Sequence, residues 1–281
     1  MENTKITVVT VCYNAEQEIE ATMRSVLNQT YLNLEYILID GASQDHTLDV
    51  IKRIKEEYSD REVKFLSEAD SGIYDAMNKG IDLATGEWIN FMNVGDIFAD
   101  AAVLQEFFAM VDTERPNDIL YGDVIYRYPF GEYYRDCHPE KDGVHFCHQA
   151  TFARTSLMKQ KHFDLKYKIV ADFNFLLQCQ REGSLCSYCP RVIASCRYYG
   201  GLTQNVFNWR IIKLEKYQAE GKPKRWSYCK LLIGAFLQTH FHIRKFWIDQ
   251  ETEQKKKIAA NSRLRKISDS DKKHLSIHGK D

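Results

Sequence analysis

The chain has 281 residues, a hydrophobic content of 44% and a formal net charge of −1, which is ordinary for a globular protein with a sizeable core. No run reaches the roughly 18 apolar residues that a transmembrane helix needs, and the opening residues lack the apolar segment of a signal peptide. The eight cysteines are scattered along the chain, which is typical of free thiols in a reducing compartment. We therefore expect a cytoplasmic protein with one large α/β domain, or one domain with an appendage.

The charge is unevenly distributed along the chain. From Lys222 onward there are 15 Lys and Arg against 6 Asp and Glu, whereas the rest is acidic. In 222–247 these cations alternate with aromatic residues, a pattern that suits a membrane interface. The alternatives are helices that pack on the sheet and a solvated, disordered end. No nucleic-acid-binding module is present, so we predict peripheral contact with the inner face of a membrane and no nucleic acid.

The first 95 residues alternate between buried strands and amphipathic helices. The predicted strands are 6–11, 34–39, 63–66 and 87–92, with a helix after each of the first three. Asn14 is predicted to cap the first helix and Asp45 the second. The βαβαβαβ order predicts an α/β fold with a mostly parallel central sheet flanked by helices.

The remaining residues are less regular. They predict a helix near 101–111, a strand at 119–121, a hairpin over 124–135, a helix at 171–180 and an extended segment at 185–199. Two amphipathic helices are predicted at 207–217 and 228–247, and charge dominates after Gln250. The predicted organisation is a domain over 1–205 with halves at 4–100 and 101–205, a helical extension over 206–249, and a basic, disordered tail over 250–281.

Polar residues gather where the predicted strands end. Tyr13 and Asn14 follow the first strand, and the stretches DGASQDHT (40–47), DSGIYDAMNKG (70–80) and NVGD (93–96) follow the others. Polar residues at the carboxyl ends of parallel strands usually line a ligand crevice. Carboxylates there suit a hard divalent cation and a diphosphate.

In this order and spacing the four motifs resemble those of family 2 glycosyltransferases, over roughly residues 4–203. The resemblance implies a GT-A fold, a nucleotide-diphospho-sugar donor, a divalent cation (Mg²⁺ or Mn²⁺) and inversion at the sugar carbon. A UDP-sugar is the expected donor, with GDP- and dTDP-sugars as the alternatives. The expected acceptor is a hydroxyl of a saccharide or lipid-linked oligosaccharide in surface polysaccharide assembly.

The resemblance also suggests which residues hold the donor. Asp40 ends the second strand, and in similar enzymes the matching carboxylate accepts the N3–H of uracil; a turn or helix cap is the alternative. Asp70 is expected to face the nucleotide. Lys79 is predicted near phosphate as a point charge, or as a solvated helix residue. The predicted donor-binding set is Tyr13, Asn14, Asp40, Asp70, Asn78 and Lys79.

The stretch 93–96 stands in the place of the family's DxD-type motif. Asp96 supplies one carboxylate and is the predicted metal ligand, with a turn residue as the alternative. Asn93 and Gly95 supply none, which departs from the fully acidic motif. We therefore expect weaker metal affinity, with the donor diphosphate holding much of the ion.

The reaction needs a base that takes a proton from the acceptor hydroxyl. Asp172 opens an apolar helix and resembles the Ala-Asp motif whose aspartate is that base, and the helix N-terminus favours its anion; an N-cap is the alternative. His148 and Gln149 resemble a His-Gln pair and are predicted, with Asn93 and Gly201, near the diphosphate or the acceptor.

A second class of function stays open from the sequence. The chain could be a catalytically inactive nucleotide-sugar-binding partner subunit, because the 93–96 motif is less acidic than usual and Asn174 stands where many relatives carry an acid. An NAD-binding enzyme is a poorer alternative, because no G-x-G-x-x-G follows the first strand.

Overall fold

The computed structural model describes residues 4–112, 116–139, 147–198, 209–221, 255–256, 258–261, 264–268 and 271. Gly201, the segment 222–247 and most of the predicted tail lie outside these residues. Within the described ranges, no helix is both long enough and apolar enough to cross a bilayer.

A single mixed sheet forms the centre of the described structure. Its strands are β1 Ile6–Cys12, β2 Leu34–Asp40, β3 Glu62–Ser67, β4 Trp88–Phe91, β5 Ile97–Phe98, β6 Ile119–Tyr128, β7 Gly131–Arg135, β8 Thr151–Arg154, β9 Cys186–Arg197 and β10 Leu264–Lys266. The main order across the sheet is β10-β7-β6-β8-β4-β1-β2-β3. Strands β1, β2, β3 and β4 are parallel, as the sequence predicts. Strand β9 pairs in parallel with β6 and antiparallel with β5.

Helices cover both faces of the sheet. The helices are α1 Ile19–Leu27, α2 Thr47–Glu57, α3 Ile73–Leu83, α4 Val103–Met110, α5 Thr155–Lys161, α6 Ala171–Arg181 and α7 Trp209–Ala219, and His148–Ala150 forms a 3₁₀ turn. The side chains of a buried strand alternate between the two faces and so belong to two cores. Ile6 and Val8 of β1 belong to the core under α1, α2 and α4. Val9 and Val11 belong to the core under α3, α5, α6 and α7.

The second half of the sheet is more antiparallel than the sequence suggests. Strand β8, which the sequence analysis did not assign, inserts between β4 and β6 and is antiparallel to both. The hairpin β6–β7 is confirmed. The change of direction matters for the site, because β8 brings the 3₁₀ turn before it to the carboxyl end of β4.

Part of the described region after Gln250 is structured, in contrast to the predicted disordered tail: residues 255–256 and 258–259 are helical. Leu264–Lys266 forms β10, which pairs antiparallel with β7. Ile258 and Ile267 are both 8% exposed and belong to the core. Two isolated apolar residues among many charges give no periodic signal, so the pattern could not reveal them.

Candidate active site

Asp40 ends β2 at the carboxyl edge of the parallel strands, in register with Cys12 of β1 and Ser67 of β3. Its carboxylate is fully buried. It accepts hydrogen bonds from the Ser67 hydroxyl at 2.7 Å and from the Ser43 backbone N–H at 3.0 Å, and also from the Ser43 hydroxyl. The Cys12 thiol lies 3.6 Å from Oδ1 as a fourth donor, so for Asp40 to accept the N3–H of a base one of these side chains must turn away. The predicted contact with uracil stays a prediction.

Asp70 lies across the same edge and is partly exposed. Its Oδ1 accepts the Gly72 N–H at 2.8 Å. Its Oδ2 lies so close to Gly41 that a Cβ added there would stand 2.5 Å from it, and 3.5 Å from the Tyr13 ring. Glycine at 41 is therefore what lets Asp70 approach the end of β2. Tyr13 is 61% exposed, so its ring offers a free face beside two carboxylates.

Asn14 does not cap α1, and that prediction is wrong. The helix begins at Ile19, and Asn14 has a φ of 48°. Its side-chain oxygen accepts the Gln44 N–H at 2.8 Å, and its own N–H donates to the Ser43 hydroxyl. Asn14 thus ties the loop after β1 to the loop after β2. Asp45 does support the start of α2, because its Oδ1 accepts the Thr47 N–H at 3.0 Å.

Asn78 and Lys79 of α3 make contacts within the protein. The Asn78 amide forms two hydrogen bonds with the backbone of Phe163, at 2.8 and 3.0 Å. The Lys79 ammonium donates to the Ala69 carbonyl at 2.8 Å and pairs with Glu68 at 2.8 Å. Lys79 therefore braces the segment that carries Asp70. The predicted contacts of both residues with the donor stay predictions and gain no support from these bonds.

Asp96 follows β4 and is 6% exposed. Its Oδ2 accepts the Gln149 side-chain N–H at 2.6 Å, and its Oδ1 accepts the Arg197 backbone N–H at 2.8 Å. Burial raises the pKa of this carboxyl, although both donors oppose the shift. Gly95 before it has a φ of 90°, and a Cβ there would lie 3.0 Å from the Arg197 guanidinium. Glycine is therefore required for this tight turn.

These residues fit a divalent cation that is held largely by its substrate. Each Asp96 oxygen has one protein donor and retains a lone pair, and one carboxylate with substrate phosphates and water is a usual Mg²⁺ shell. No cluster of three or more His, Cys, Asp or Glu suited to a metal occurs among the described residues. That Asp96 is the protein's ligand for the ion stays a prediction.

Asp172 lies in the first turn of α6, where three donors converge on its carboxylate. Its Oδ2 is 3.0 Å from His148 Nδ1. Its Oδ1 accepts the Tyr74 hydroxyl at 2.9 Å and the Phe173 N–H at 2.8 Å. The side chain is still 25% exposed. The sequence missed Tyr74, although it stands within the 70–80 motif.

His148 and Asp172 form an ion pair. Burial disfavours the imidazolium, but the Asp172 carboxylate overrides it and raises the pKa of His148 to about 9. Burial also disfavours the Asp172 anion, yet the hydrogen bond and charge of His148, with the Tyr74 hydroxyl, hold the pKa of Asp172 below its usual range. At neutral pH the pair is therefore imidazolium and carboxylate.

Asn93 links this pair to the loop that carries Asp96. Its side-chain nitrogen is 3.1 Å from His148 Nε2, while its buried Oδ1 has no partner among the described residues. An imidazolium donates from both ring nitrogens, so beside a protonated His148 the Asn93 amide is expected to turn over and present Oδ1 as the acceptor. That orientation removes the unpartnered oxygen, so Asn93 is best satisfied when His148 is protonated.

Asn90 and an apolar recess support this end of the site. Asn90 of β4 donates to the Gln149 and Thr151 carbonyls at 3.0 and 2.8 Å, which fixes the 3₁₀ turn on the sheet. Behind the pair lies an apolar recess of about 30 Å³ that His148 and Asp172 border. Other residues lining it are Ile89, Phe91, Phe163, Phe175 and Leu176. Apolar walls strengthen the ion pair by lowering the local dielectric.

The ion pair predicts a pH-dependent stability. Below pH 6.5 the folded and unfolded states both carry the His148 proton, so the contribution is complete; it is lost as pH rises towards about 9. We expect this contribution to the free energy of unfolding to fall over the window by roughly 3 kcal/mol at most, less because both side chains are partly exposed. The adjacent Cys147 thiol, whose pKa is lowered to about 7, acts in the opposite direction over the same window, so the comparison with a His148 variant isolates the ion pair. Urea denaturation at pH 6, 7.5 and 9.5 measures it.

His148→Gln should flatten this dependence. His162→Gln is the matched control, because His162 contacts Asp82 at 2.8 Å on the surface; it should keep the wild-type slope. An unchanged slope in His148→Gln would contradict the assignment of the ion pair.

The predicted site residues thus form two groups. Tyr13, Asp40 and Asp70 lie at the ends of β1, β2 and β3, and a hydrogen-bonded series joins Asp172, His148 and Asn93, beside the Gln149–Asp96 bond. Gly201 lies outside the described residues. Sequence reasoning missed the serines on Asp40, Tyr74 on Asp172 and the Arg197 N–H on Asp96. Of these, only Tyr74 carries a signal, its place in the first turn of α3.

Comparison with known proteins gives a consistent result. The family model described as Glycosyl transferase family 2 matches residues 7–173. A Mycobacterium tuberculosis protein named PGL/p-HBAD biosynthesis glycosyltransferase is 32% identical over 209 residues, covering 71% of this chain and 79% of that protein. An uncharacterized glycosyltransferase of Haemophilus influenzae is 27% identical over 233 residues, covering 74% and 70%.

Solved structures share the fold at low sequence identity. S. aureus TarS 1–349 in complex with UDP-GlcNAc has a TM-score of 0.59 and 16% identity, covering 91% of this chain and 80% of that one. The mannosyltransferase PcManGT from Pyrobaculum calidifontis, in complex with GDP-Man and Mn²⁺, has a TM-score of 0.60 and 15% identity, covering 98% and 84%. With the family model matching more than half of its length, the chain belongs to glycosyl transferase family 2 and is a glycosyltransferase with the GT-A fold.

Proposed function

We propose that this glycosyltransferase moves a sugar from a nucleotide-diphospho-sugar, with UDP as the expected nucleotide, to a hydroxyl of a saccharide or lipid-linked acceptor, with inversion. The proposed setting is surface glycan assembly at the inner face of the membrane. The relatives support this: one is named for PGL/p-HBAD biosynthesis, and the similar structures hold UDP-GlcNAc or GDP-Man.

One observation carries the proposal. A partly exposed carboxylate, Asp172, is connected through His148 and Asn93 to the loop that bears Asp96. A base for the acceptor and a ligand for the leaving diphosphate must lie on two sides of the same reacting carbon. The series of hydrogen bonds gives them a fixed separation.

The chemistry follows from the groups present. The acceptor hydroxyl attacks the anomeric carbon, its proton passes to the Asp172 carboxylate, and the bond to the nucleoside diphosphate breaks. His148 and Tyr74 keep that carboxylate ionised and aimed. Asp96 would hold a divalent cation, which when bound stabilises the charge on the leaving diphosphate. Tyr13 and Asp70 would hold the nucleoside.

The thermal midpoint with UDP, GDP, dTDP, CMP or NAD, each with and without Mn²⁺, tests the proposal. A ligand at 100 times its Kd adds about 2.7 kcal/mol to stability if it binds only the folded state, or roughly 5 °C for a chain of this size. We expect a shift with UDP that grows with Mn²⁺. No shift with any nucleotide would contradict the proposed donor site.

The inactive binding subunit is not favoured, because the curated relatives are named as transferases. It predicts nucleotide binding with neither transfer nor slow hydrolysis of the donor. UDP release from UDP-GlcNAc, UDP-glucose and other UDP-sugars in the presence of Mn²⁺ separates the two. Release of UDP from one of these donors, with an inverted anomeric product by NMR, supports the transferase.

A further inference from the structure

Helix α7 lies outside the family-matched residues 7–173, yet one of its side chains reaches the segment before the proposed base. Glu215 is 7% exposed. Its Oε1 accepts the Lys168 N–H at 2.8 Å, and its Oε2 accepts the N–H groups of Ile169 and Val170 at 2.9 and 3.1 Å. A single buried carboxylate therefore holds three consecutive backbone donors.

These donors need a partner. Ile169 and Val170 are 7% and 3% exposed, and buried backbone N–H groups are nearly always hydrogen-bonded. Glu215 in turn forms no ion pair with a described side chain, so backbone dipoles are what stabilise its charge there. Among the described residues, neither these backbone N–H groups nor the Glu215 carboxylate has another hydrogen-bond partner.

The held segment leads directly to Asp172. Val170 accepts the Asn174 N–H at 2.9 Å and so sets the first turn of α6. The Tyr74 hydroxyl lies 2.8 Å from the Ile169 carbonyl and 2.9 Å from Asp172 Oδ1, so these two acceptors share its one proton. A shift of 168–170 therefore moves Asp172 relative to both Tyr74 and His148.

A second contact of α7 falls on the other side of Asp172. The Lys216 ammonium, next to Glu215 in sequence, lies over the Phe173 ring at 4.9 Å from its centre. Helix α7 thus contacts the chain both before and after Asp172. The rest of its docking is ordinary, with Leu214 and Ala219 buried and the Arg181 side chain donating to the Ala219 carbonyl at 2.9 Å.

We infer that Glu215 is a positioning residue for Asp172, so that α7 completes the active site of a catalytic domain whose family-matched part ends at 173. The inference rests on the proposed role of Asp172. Misplacing a reacting group by about 1 Å can cost on the order of 10²-fold in rate, so loss of this anchor should lower kcat and spare donor binding.

Glu215→Gln is the variant of choice, because it keeps the shape but turns a donor towards the Lys168 N–H. We expect kcat for UDP release, with a UDP-sugar that the wild type accepts, to fall roughly tenfold or more, with the donor KM within about twofold. The thermal shift with UDP and Mn²⁺ should be unchanged. Arg181→Ala is the matched control: it loosens α7 at its far end and should leave kcat within about twofold.

Amide hydrogen exchange provides a readout that does not depend on activity. In Glu215→Gln, protection of the 168–170 amides should fall, while that of β1 and β2 stays at the wild-type level. Unchanged protection, or lost protection with unchanged kcat, would overturn the inference, as would an equal loss of kcat in Arg181→Ala. If the wild type releases no UDP from any donor, the proposed function fails, and exchange still decides whether Glu215 anchors the segment.

Discussion

Asp172→Asn is expected to lower kcat by about 10² to 10⁴-fold, the usual contribution of a positioned general base. The variant keeps the size of the side chain and one oxygen for the Tyr74 hydroxyl and the Phe173 N–H. Donor binding should survive, because Tyr13 and Asp70 follow strands β1 and β3, whereas Asp172 lies on α6. Steady-state kinetics with a UDP-sugar, together with the midpoint shift by UDP and Mn²⁺, measures both quantities.

Asp164→Asn is the matched control for this variant. Asp164 precedes the same helix and accepts the Lys166 N–H at 3.1 Å, away from the ion pair. Its kcat should remain at the wild-type value. An equal loss of UDP affinity and kcat in Asp172→Asn would remove Asp172 from the role of base.

Asp96→Asn should abolish the response to the divalent cation. The variant loses the charge that attracts the ion and replaces an acceptor oxygen by a donor amide, which opposes either the Gln149 or the Arg197 N–H. We expect the Mn²⁺-dependent part of the UDP shift to disappear. Because a metal contributes several kcal/mol of charge stabilisation in the transition state, kcat should fall by about 10²-fold.

Asp123→Asn controls for the loss of a buried carboxylate. Asp123 is 3% exposed and accepts hydrogen bonds from Tyr134, Tyr188 and the Cys137 N–H. This variant should lower the midpoint without ligand yet keep the full response to Mn²⁺. A wild-type Mn²⁺ response in Asp96→Asn would show that Asp96 is not the ligand.

The parallel half of the fold could be predicted from the sequence because its signals are local. Strand β1 is a run of buried β-branched residues, and α3 shows apolar residues at helical spacing after Gly72. The prediction that Asn14 caps α1 is wrong for a physical reason. Asparagine favours both helix caps and left-handed turns, and here it takes the turn, with a φ of 48°.

The sequence could predict which residues belong to the candidate site, but not which of them contact one another. Asp96, His148 and Asp172 all follow from motifs, but 24 residues separate the last two, and only the insertion of β8 next to β4 brings them together. That insertion has no periodic signal, since β8 has four residues. Glu215 is harder still, because an acidic residue on an amphipathic helix is expected to face solvent.

Strand β10 has a consequence for the solution behaviour of the molecule. In the described structure it covers β7, which would otherwise end the sheet with unpaired N–H and C=O groups. Exposed strand edges are templates for pairing between chains, and a very short, charged outer strand is a common way to blunt them. With two of its three residues basic, β10 is such a strand. On this physical ground, the short basic edge that β10 presents disfavours pairing between copies at this side of the described sheet.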